Sequence, residues 1–324
     1  MKNHQLLRAA ILTGAAFAAA ACVSTSVTKS LPREIHIPGT GIFPESMSSA
    51  RDGTIYIGSA GTQQVFRVRP GAATAEPFIA PGSGGMNGVV GVFADDVSRT
   101  VWVCSNVRAG SPAASAVPKP RNGLFAFHLD SGAPKGRYDF PESGTCNDVA
   151  TGPDGSTYAT DTAGMQVLRL PKGGSALEVW AGKGAFGPAG GVLDGMAFVG
   201  GRVIVNALAT SKFFAVEVGR EGKAGKVTEL VLDQPVNRPD GMRVSGKDSM
   251  ISSDGRGKLM KLTIAGDKAH VEEVGSGIDG VTAVAIVGKM VYGLEAQLAL
   301  FNARPGGPAL PPEKPFRLVG FDLK

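Results

Sequence analysis

Four oxygen-bearing side chains stand at the same offset in strand-like segments of this sequence: Glu45, Asn147, Asp194 and Asp240, in the motifs PES, CND, LDGM and PDGM. If the fold brings them together, three carboxylates and one amide oxygen crowd around a common point. Such a group repels itself unless it is protonated or binds a cation. Oxygen ligands without His or Cys favour a hard ion such as Ca²⁺ or Mg²⁺ over zinc. The alternative is that each Asp-Gly pair only shapes a turn.

The elements that must position these residues form an internal repeat of about forty-five residues. Each copy has two alternating strands around a Gly- or Asp-rich hairpin turn, then a third strand and, in all but the last copy, a fourth. The copies begin at Pro44, Val89, Cys146, Leu193, Pro239 and Gly280. The 46 Gly and 21 Pro among 324 residues also favour many short strands joined by tight turns.

The two ends of the repeat array complement each other. The sixth copy ends with the chain and lacks a fourth strand, whereas a spare strand, REIHIPG at residues 33–39, precedes the first copy. Lending this strand to the last blade closes a ring and removes exposed sheet edges. The sequence therefore predicts an all-β fold, a six-bladed β-propeller over residues 33–324, closed by an N-terminal strand that completes the last blade.

The first strand of each propeller blade lines the central channel, so residues of equivalent register meet at one mouth. Thr282 holds this register in the last blade, and the second blade offers only Val89, Val90 or Gly91, none of them a ligand. Two Pro-rich inserts, residues 106–122 and 302–315, lie between the second and third strands of their blades. A pocket wall or lid, a partner surface and a plain surface excursion each fit these inserts.

Three histidines outside the N-terminal segment, His36, His128 and His270, fall in third or fourth strands. We therefore expect them far from the channel axis. A serine-hydrolase triad has little support, because the sequence also lacks the G-x-S-x-G motif of a nucleophile elbow.

The N-terminal segment has a basic start, an apolar run over residues 9–21 and then Cys22. This pattern predicts an export signal over residues 1–22 and a linker over residues 23–32, since the run is too short to span a bilayer comfortably. Cys22 follows three alanines and resembles the acylated cysteine of bacterial lipoproteins, with plain cleavage as the alternative. We expect an exported, periplasmic protein whose only candidate membrane attachment is a lipid anchor at Cys22.

The charge and cysteine content narrow the partners and the compartment. The net charge is +5, of which Lys2 and Arg8 supply two, and the remaining Lys and Arg are scattered, so no nucleic-acid footprint follows. After export, Cys104 and Cys146 remain. An oxidising compartment permits a bridge between them, but the position of Cys104 inside a strand also fits a core cysteine.

The six repeats and the motifs around Glu45, Asn147, Asp194 and Asp240 resemble the family of senescence marker protein 30, gluconolactonase and luciferin-regenerating enzyme. The resemblance covers residues 33–324. It implies one divalent cation, usually calcium, with Glu45, Asp194 and Asp240 as ligands and Asn147 as an auxiliary ligand or substrate-binding residue. Asp194 departs from the Asn common in the family, which makes the site one unit more negative, and the family's substrate-contacting Arg is not evident.

The resemblance implies a divalent-metal-dependent lactone hydrolase. A bound cation would polarise the lactone carbonyl, while Asp240, as ligand and base, takes a proton from the attacking water. A small-molecule substrate is expected, and a sugar lactone is the family's commonest. The alternative is a non-catalytic exported propeller that binds a ligand or a protein partner, with the cation serving structure alone.

Overall fold

Alternating apolar and polar residues bounded by Gly- and Asp-containing turns form six sheets around a central axis, antiparallel except for one short pair in blade five. The computed structural model describes residues 31–141, 144–188, 191–304 and 307–323. Strand β1 (Glu34–Ile37) precedes the blades. Blade one contains β2 (Pro44–Ser49), β3 (Ile55–Ser59), β4 (Gln64–Val68) and β5 (Glu76–Ile79). Blade two contains β6 (Val92–Asp95), β7 (Thr100–Ser105), β8 (Gly123–His128) and β9 (Pro134–Asp139).

The next three blades repeat this arrangement. Blade three contains β10 (Cys146–Thr151), β11 (Thr157–Asp161), β12 (Gln166–Leu170) and β13 (Glu178–Ala181). Blade four contains β14 (Leu193–Val199), β15 (Arg202–Ala207), β16 (Lys212–Val218) and β17 (Ala224–Glu229). Blade five contains β18 (Val231–Leu232), β19 (Met242–Gly246), β20 (Ser249–Asp254), β21 (Lys258–Ala265) and β22 (Lys268–Ser276).

Blade six closes the ring. It contains β23 (Val281–Val287), β24 (Met290–Glu295) and β25 (Phe316–Asp322), with the short helix α1 (Leu298–Phe301) after β24. Its outermost strand is β1, which pairs antiparallel with β25 and places Glu34 opposite Val319. The predicted all-β fold, a six-bladed propeller closed by the N-terminal strand, is confirmed.

One strand departs from the predicted pattern. In blade four, β17 ends at Glu229, and Val231 and Leu232 form the separate strand β18. Strand β18 pairs in parallel with β22 of blade five. The end of one blade's outer strand therefore serves as a fifth strand of the next blade.

The hydrophobic core divides among the contacts between blades. The described residues contain six buried clusters, and each cluster joins side chains of two neighbouring blades. The cluster between blades two and three holds Cys104 and Cys146, which form a disulfide with 5.1 Å between their Cα atoms. This settles the choice that the sequence left open, and the two cysteines are both bridged and part of the core.

The described part of the chain begins at Leu31. Residues 1–30, which hold the predicted export signal, Cys22 and most of the predicted linker, lie outside the described residues. The boundaries of these segments therefore stay predictions. Among the described residues, the helix content is too short and too sparse to provide a membrane-spanning helix.

Candidate active site at the channel mouth

The four residues of matching register lie where the inner strands begin. Glu45 is in β2, Asn147 is in β10, Asp194 is in β14, and Asp240 stands two residues ahead of β19. In β2, β10 and β14 the pairing with the next strand shifts register across that residue. Such bulges are over-represented near active sites, because they re-aim a side chain that regular pairing would direct elsewhere.

Two of these residues follow a strained backbone. Phe43, two residues before Glu45, has φ 40°, and Arg238, two residues before Asp240, has φ 45°. Each precedes a proline, which further limits its conformation. Left-handed backbone at a bulky residue costs about 1–3 kcal/mol and persists only where its surroundings enforce it. Packing of the Phe43 ring supplies part of that enforcement, with its centroid 5.3 Å from that of Phe301.

Polar side chains of each blade hold the backbone of the next blade at this mouth. Thr160 donates its hydroxyl to the Asp194 carbonyl at 2.7 Å, and Asn206 donates Nδ2 to the Asp240 carbonyl at 2.5 Å. Thr282 donates to the Glu45 carbonyl at 2.7 Å. The Thr282 hydroxyl therefore holds the backbone of Glu45 in place. These contacts fix three backbone positions of the site from three different blades.

The sequence reasoning missed Thr160 and Asn206. Both occupy the inner end of the second strand of their blade, in the motifs YATD and IVNA, and Ser253 in ISSD follows the same pattern. Ser253 donates to the carbonyl of Thr282 at 3.3 Å. A small polar residue at the end of an otherwise apolar second strand is the signal that could have found all three.

The three carboxylates interact electrostatically in a poorly hydrated environment. Burial raises the pKa of Asp194 to about 7, and the charge of Asp148 adds to the effect. Burial also raises the pKa of Glu45 and that of Asp240 well above their usual ranges, and in both cases the Asp194 charge is the next contribution. Glu45 and Asp240 also repel each other. The structure therefore brings Glu45, Asp194 and Asp240 together.

Asn147 joins this group through hydrogen bonds. Its side chain contacts the Asp194 carboxylate, and its Nδ2 donates to the Thr162 hydroxyl at 3.3 Å. Thr162 in turn donates to the Leu193 carbonyl at 2.7 Å. The amide of Asn147 is thus tied both to the carboxylate group and to the backbone that carries Asp194.

A buried ion pair joins blades three and five beneath the mouth, and it was not predicted from the sequence. Arg243 Nη1 donates to Asp148 Oδ2 at 2.9 Å, and both side chains are buried. The same Asp148 oxygen accepts the backbone N–H of Met196 at 3.0 Å. The other oxygen, Oδ1, is buried without a hydrogen-bond partner among the described residues. Asp148 therefore keeps an acceptor that the protein does not use.

The Arg243 guanidinium ties several blades together. Its nitrogens donate to the carbonyls of Met47, Val92 and Met242, to Asp148 Oδ2 and to the Ser46 hydroxyl. These partners belong to blades one, two, three and five. Since a guanidinium has five N–H donors, all of them are used. The positive charge also lowers the pKa of Glu45 against the larger effect of burial.

The donor set at the mouth has the chemistry of a hard-cation site. Three mutually repelling carboxylates and an amide oxygen are ligands that Ca²⁺ prefers, and a divalent cation would relieve the repulsion. The side chains do not adopt a closed coordination geometry, since no group of three or more His, Cys, Asp or Glu residues in the described ranges is arranged to hold a metal.

The three histidines and the two Pro-rich inserts are the remaining features that the sequence singled out. His36 and His270 have exposed side chains on outer strands, and His128 is exposed at the end of β8, so all three lie away from the mouth as expected. Arg108 of the first insert lies against the start of the second, with its guanidinium 4.0 Å from the ring centroid of Phe301, the residue before that insert. Arg108 also donates to the Gly307 carbonyl at 3.2 Å.

No protein-family model matches the chain, and no curated protein matches it significantly in sequence. Structural comparison finds related propellers. A gluconolactonase from Xanthomonas campestris matches with a TM-score of 0.59 and 15% identity, over 87% of this chain and 86% of its own. A calcium-binding protein, regucalcin, from Agrobacterium tumefaciens matches with a TM-score of 0.59 and 11% identity, over 90% of this chain and 96% of its own.

A third match carries a different activity. Virginiamycin B lyase from Staphylococcus aureus matches with a TM-score of 0.58 and 13% identity, over 90% of this chain and 98% of its own. At these identities the likeness shows the fold, so the resemblance drawn from the motifs is confirmed at that level. Because this fold serves a lactonase and a lyase alike, the reaction must be argued from the site.

Proposed function

We propose that this protein is an exported, calcium-dependent lactone hydrolase. The observation that carries the proposal is the group of three mutually repelling carboxylates, Glu45, Asp194 and Asp240, placed with Asn147 at one mouth of the channel. The gluconolactonase and regucalcin among the structural matches support a small-molecule substrate and calcium, respectively.

Glu45, Asp194 and Asp240 would hold the cation, with Asn147 as an auxiliary ligand or substrate contact. When bound, Ca²⁺ would polarise the carbonyl of a lactone and stabilise the negative charge that develops on its oxygen. The extra negative charge of Asp194, where Asn is common in similar proteins, strengthens the attraction for a divalent ion. With Asp194, the three carboxylates carry one negative charge more than a single Ca²⁺ neutralises.

Asp240 would act as the general base. Its carboxylate accepts a proton from a water molecule while the water oxygen attacks the carbonyl carbon of the lactone. The ring carbon–oxygen bond then breaks, and Asp240 returns the proton to the leaving oxygen, which becomes the hydroxyl of the product hydroxy acid. A base whose pKa lies near the working pH is suited to both steps, and burial raises the pKa of Asp240 in that direction.

The Arg243–Asp148 pair gives the site a floor. Its side chains are buried farther along the inner strands than Glu45 and Asp240, so the entry route we propose for substrate and water is the mouth that carries these two carboxylates. The substrate class we propose is a small lactone, with a sugar lactone as the first choice because a gluconolactonase shares the fold. Nucleic acid is not a proposed partner.

The test is hydrolysis of a panel of sugar and aliphatic lactones with and without a chelator, in the wild-type protein and in Asp240→Asn. We expect turnover that stops on chelation, returns with added Ca²⁺ and falls at least about a hundredfold in the variant. Asp248→Asn is the matched control, since this exposed carboxylate of the same blade lies at the other end of β19.

A different outcome would support the binding alternative. If Ca²⁺ raises the melting temperature while no lactone is hydrolysed, the protein is a non-catalytic propeller with a structural cation. If neither stability nor turnover responds to Ca²⁺ or to Asp240→Asn, the proposed metal dependence is wrong.

Export to the periplasm is a separate part of the proposal. The Cys104–Cys146 disulfide supports it, because such bridges persist in oxidising compartments. We propose Cys22 as the lipid attachment point. Fractionation of cells that express wild-type protein and Cys22→Ser tests this, and we expect the variant to leave the membrane fraction. Equal distribution of the two proteins would favour plain cleavage.

A further inference from the structure

A cavity of about 520 Å³ lies at the other end of the channel. The inner strands of blades three and four run from the carboxylate mouth to this end, so Asn147 and Asp194 mark one mouth whereas Thr151 and Phe198 mark the other. The Arg243 side chain, which lines this cavity, lies between the two. None of the four proposed active-site residues, Glu45, Asn147, Asp194 and Asp240, lines this cavity, so it is distinct from the proposed active site.

The walls of the cavity are mainly apolar. They include two half-buried aromatic rings, Phe93 of blade two and Phe198 of blade four, and border on Met196 and Met242, which are buried in the contacts between blades. Aromatic rings pack well against both aliphatic and aromatic ligands. The volume falls within the range of about 300–1,000 Å³ that small-molecule sites occupy. The cavity is thus of a size and composition to bury the apolar body of a small ligand.

The rim is also apolar although it faces solvent. Val97 is 79% exposed and Val244 is 46% exposed, and both line the cavity. Exposed apolar side chains around a concavity are a feature of ligand-binding sites. Two turn glycines, Gly200 and Gly201, complete one side of the rim, and the space beside Gly201 is open whereas Asp248 lies next to Gly200.

The charged groups that line the cavity are both positive, Arg243 and Lys247. Arg243 uses all its N–H donors within the protein and is paired with Asp148, so it has no N–H donor left for a ligand in the cavity. Lys247 is exposed at the rim, and its ammonium group has no ion pair among the described residues. No Asp or Glu of the described ranges lines the cavity. An occupant that complements this arrangement has an apolar body and one negative charge at the rim.

We propose that this cavity binds an amphipathic carboxylate, with its apolar body between Phe93 and Phe198 and its carboxylate at Lys247. The site is independent of the proposed lactone hydrolysis, because none of the four side chains proposed for that reaction lines the cavity. Burial of the ligand's apolar body in the cavity supplies the binding free energy. The charged end stays at the rim, where it keeps much of its hydration.

The experiment uses anilinonaphthalene sulfonate, an amphipathic anion whose fluorescence rises on burial, and displaces it with decanoate or with uncharged decanol below their aggregation limits. We expect one probe per chain, and displacement by decanoate at concentrations about tenfold lower than by decanol. Val244→Glu should weaken probe binding about tenfold or more, since it puts a carboxylate at the apolar rim. The matched control is Val231→Glu, because Val231 is 63% exposed on an outer strand away from the cavity.

A second pair of variants tests the charged contact. Lys247→Glu should abolish the preference for decanoate over decanol, whereas Lys226→Glu, at an exposed position on β17, should preserve it. Equal probe binding by Val244→Glu and wild type would overturn the site. Equal displacement by the two competitors in wild type would overturn the proposed carboxylate. Asp240→Asn and chelation should leave displacement unchanged, and a change would contradict the separation of the two sites.

Discussion

Arg243 of blade five donates a hydrogen bond to Asp148 of blade three across the channel, with 2.9 Å between Nη1 and Oδ2. Both side chains are buried, at 8% and 5% exposure. The pair lies between a mouth of three carboxylates and a mainly apolar cavity at the other end. The two ends of the channel thus differ in their chemistry.

Removing this arginine should cost much of the stability of the fold. In Arg243→Met the Asp148 carboxylate loses its buried partner, and breaking such a pair costs about 3–5 kcal/mol. We expect the free energy of unfolding, measured by urea denaturation, to fall by this amount. Arg202→Met removes an exposed pair with Asp267, at 3.2 Å, and should cost at most about 1 kcal/mol. Equal losses in the two variants would show that the buried pair has no special role.

The metal-free protein should be less stable at alkaline than at mildly acidic pH. The folded protein raises the pKa of Asp194 from 3.8 to about 7. A raised pKa gives stability that is complete below the unfolded value and is lost as the pH rises through the folded value. In chelator, we expect the melting temperature to fall from pH 5.5 to pH 8, a range in which carboxylates with lowered pKa values stay ionised. Ca²⁺ should restore it at pH 8.

A control variant identifies the group responsible for that pH dependence. Asp194→Asn removes the titrating carboxylate, so its melting temperature in chelator should change less between the two pH values. If the variant and the wild-type protein lose stability equally, another group accounts for the dependence.

The amide of Asn206 should affect calcium binding as well as stability. Asn206 accepts the Gly195 N–H at 2.9 Å and donates to the Asp240 carbonyl at 2.5 Å, so it joins the backbones of two ligand positions. Asn206→Ala should lower the free energy of unfolding by about 1–3 kcal/mol. It should also weaken Ca²⁺ binding, measured by calorimetry, because Asp240 is no longer held.

Asn122→Ala provides the matched comparison. Asn122 accepts the Val107 N–H at 2.7 Å and donates to the Gly144 carbonyl at 2.8 Å, away from Asp194 and Asp240. It should lose similar stability while keeping the wild-type calcium affinity. If both variants bind Ca²⁺ like the wild type, the interblade amide does not position the site.

Reduction of the disulfide should destabilise the propeller. Cys104 and Cys146 are 42 residues apart, and closing a loop of that length stabilises a fold by about 4 kcal/mol through chain entropy. We expect a reductant to lower the urea midpoint of the wild-type protein and to leave that of the double Ala variant unchanged. A reductant that shifts both proteins equally would indicate an effect unrelated to the bridge.

The sequence predicted the architecture because the repeat and the two complementary chain ends leave one way to close the ring. It also predicted which carboxylates share a mouth, because equivalent register in a propeller means a common axis. The fifth strand of blade five was not predicted, since the division between β17 and β18 depends on pairing with the next blade, which strand patterns in one blade do not reveal.

Asp148 and Arg243 escaped prediction for a different reason. Regular alternation would turn Asp148 away from the face that carries Asn147, but the register shift in β10 changes which residues face the channel. The partners of Arg243 lie 95 to 197 residues away, apart from its neighbour Met242. A long side chain that reaches across the axis chooses its partners in three dimensions, which the repeat pattern does not encode.

The most direct test of the central claim is calorimetric titration of Ca²⁺ into protein first freed of metal. We predict one calcium ion per chain for the wild-type protein and at least about tenfold weaker binding for Asp240→Asn, which removes one ligand charge. The same affinity in both proteins, or no binding by the wild type, would contradict the assignment of Glu45, Asp194, Asp240 and Asn147 as a cation site.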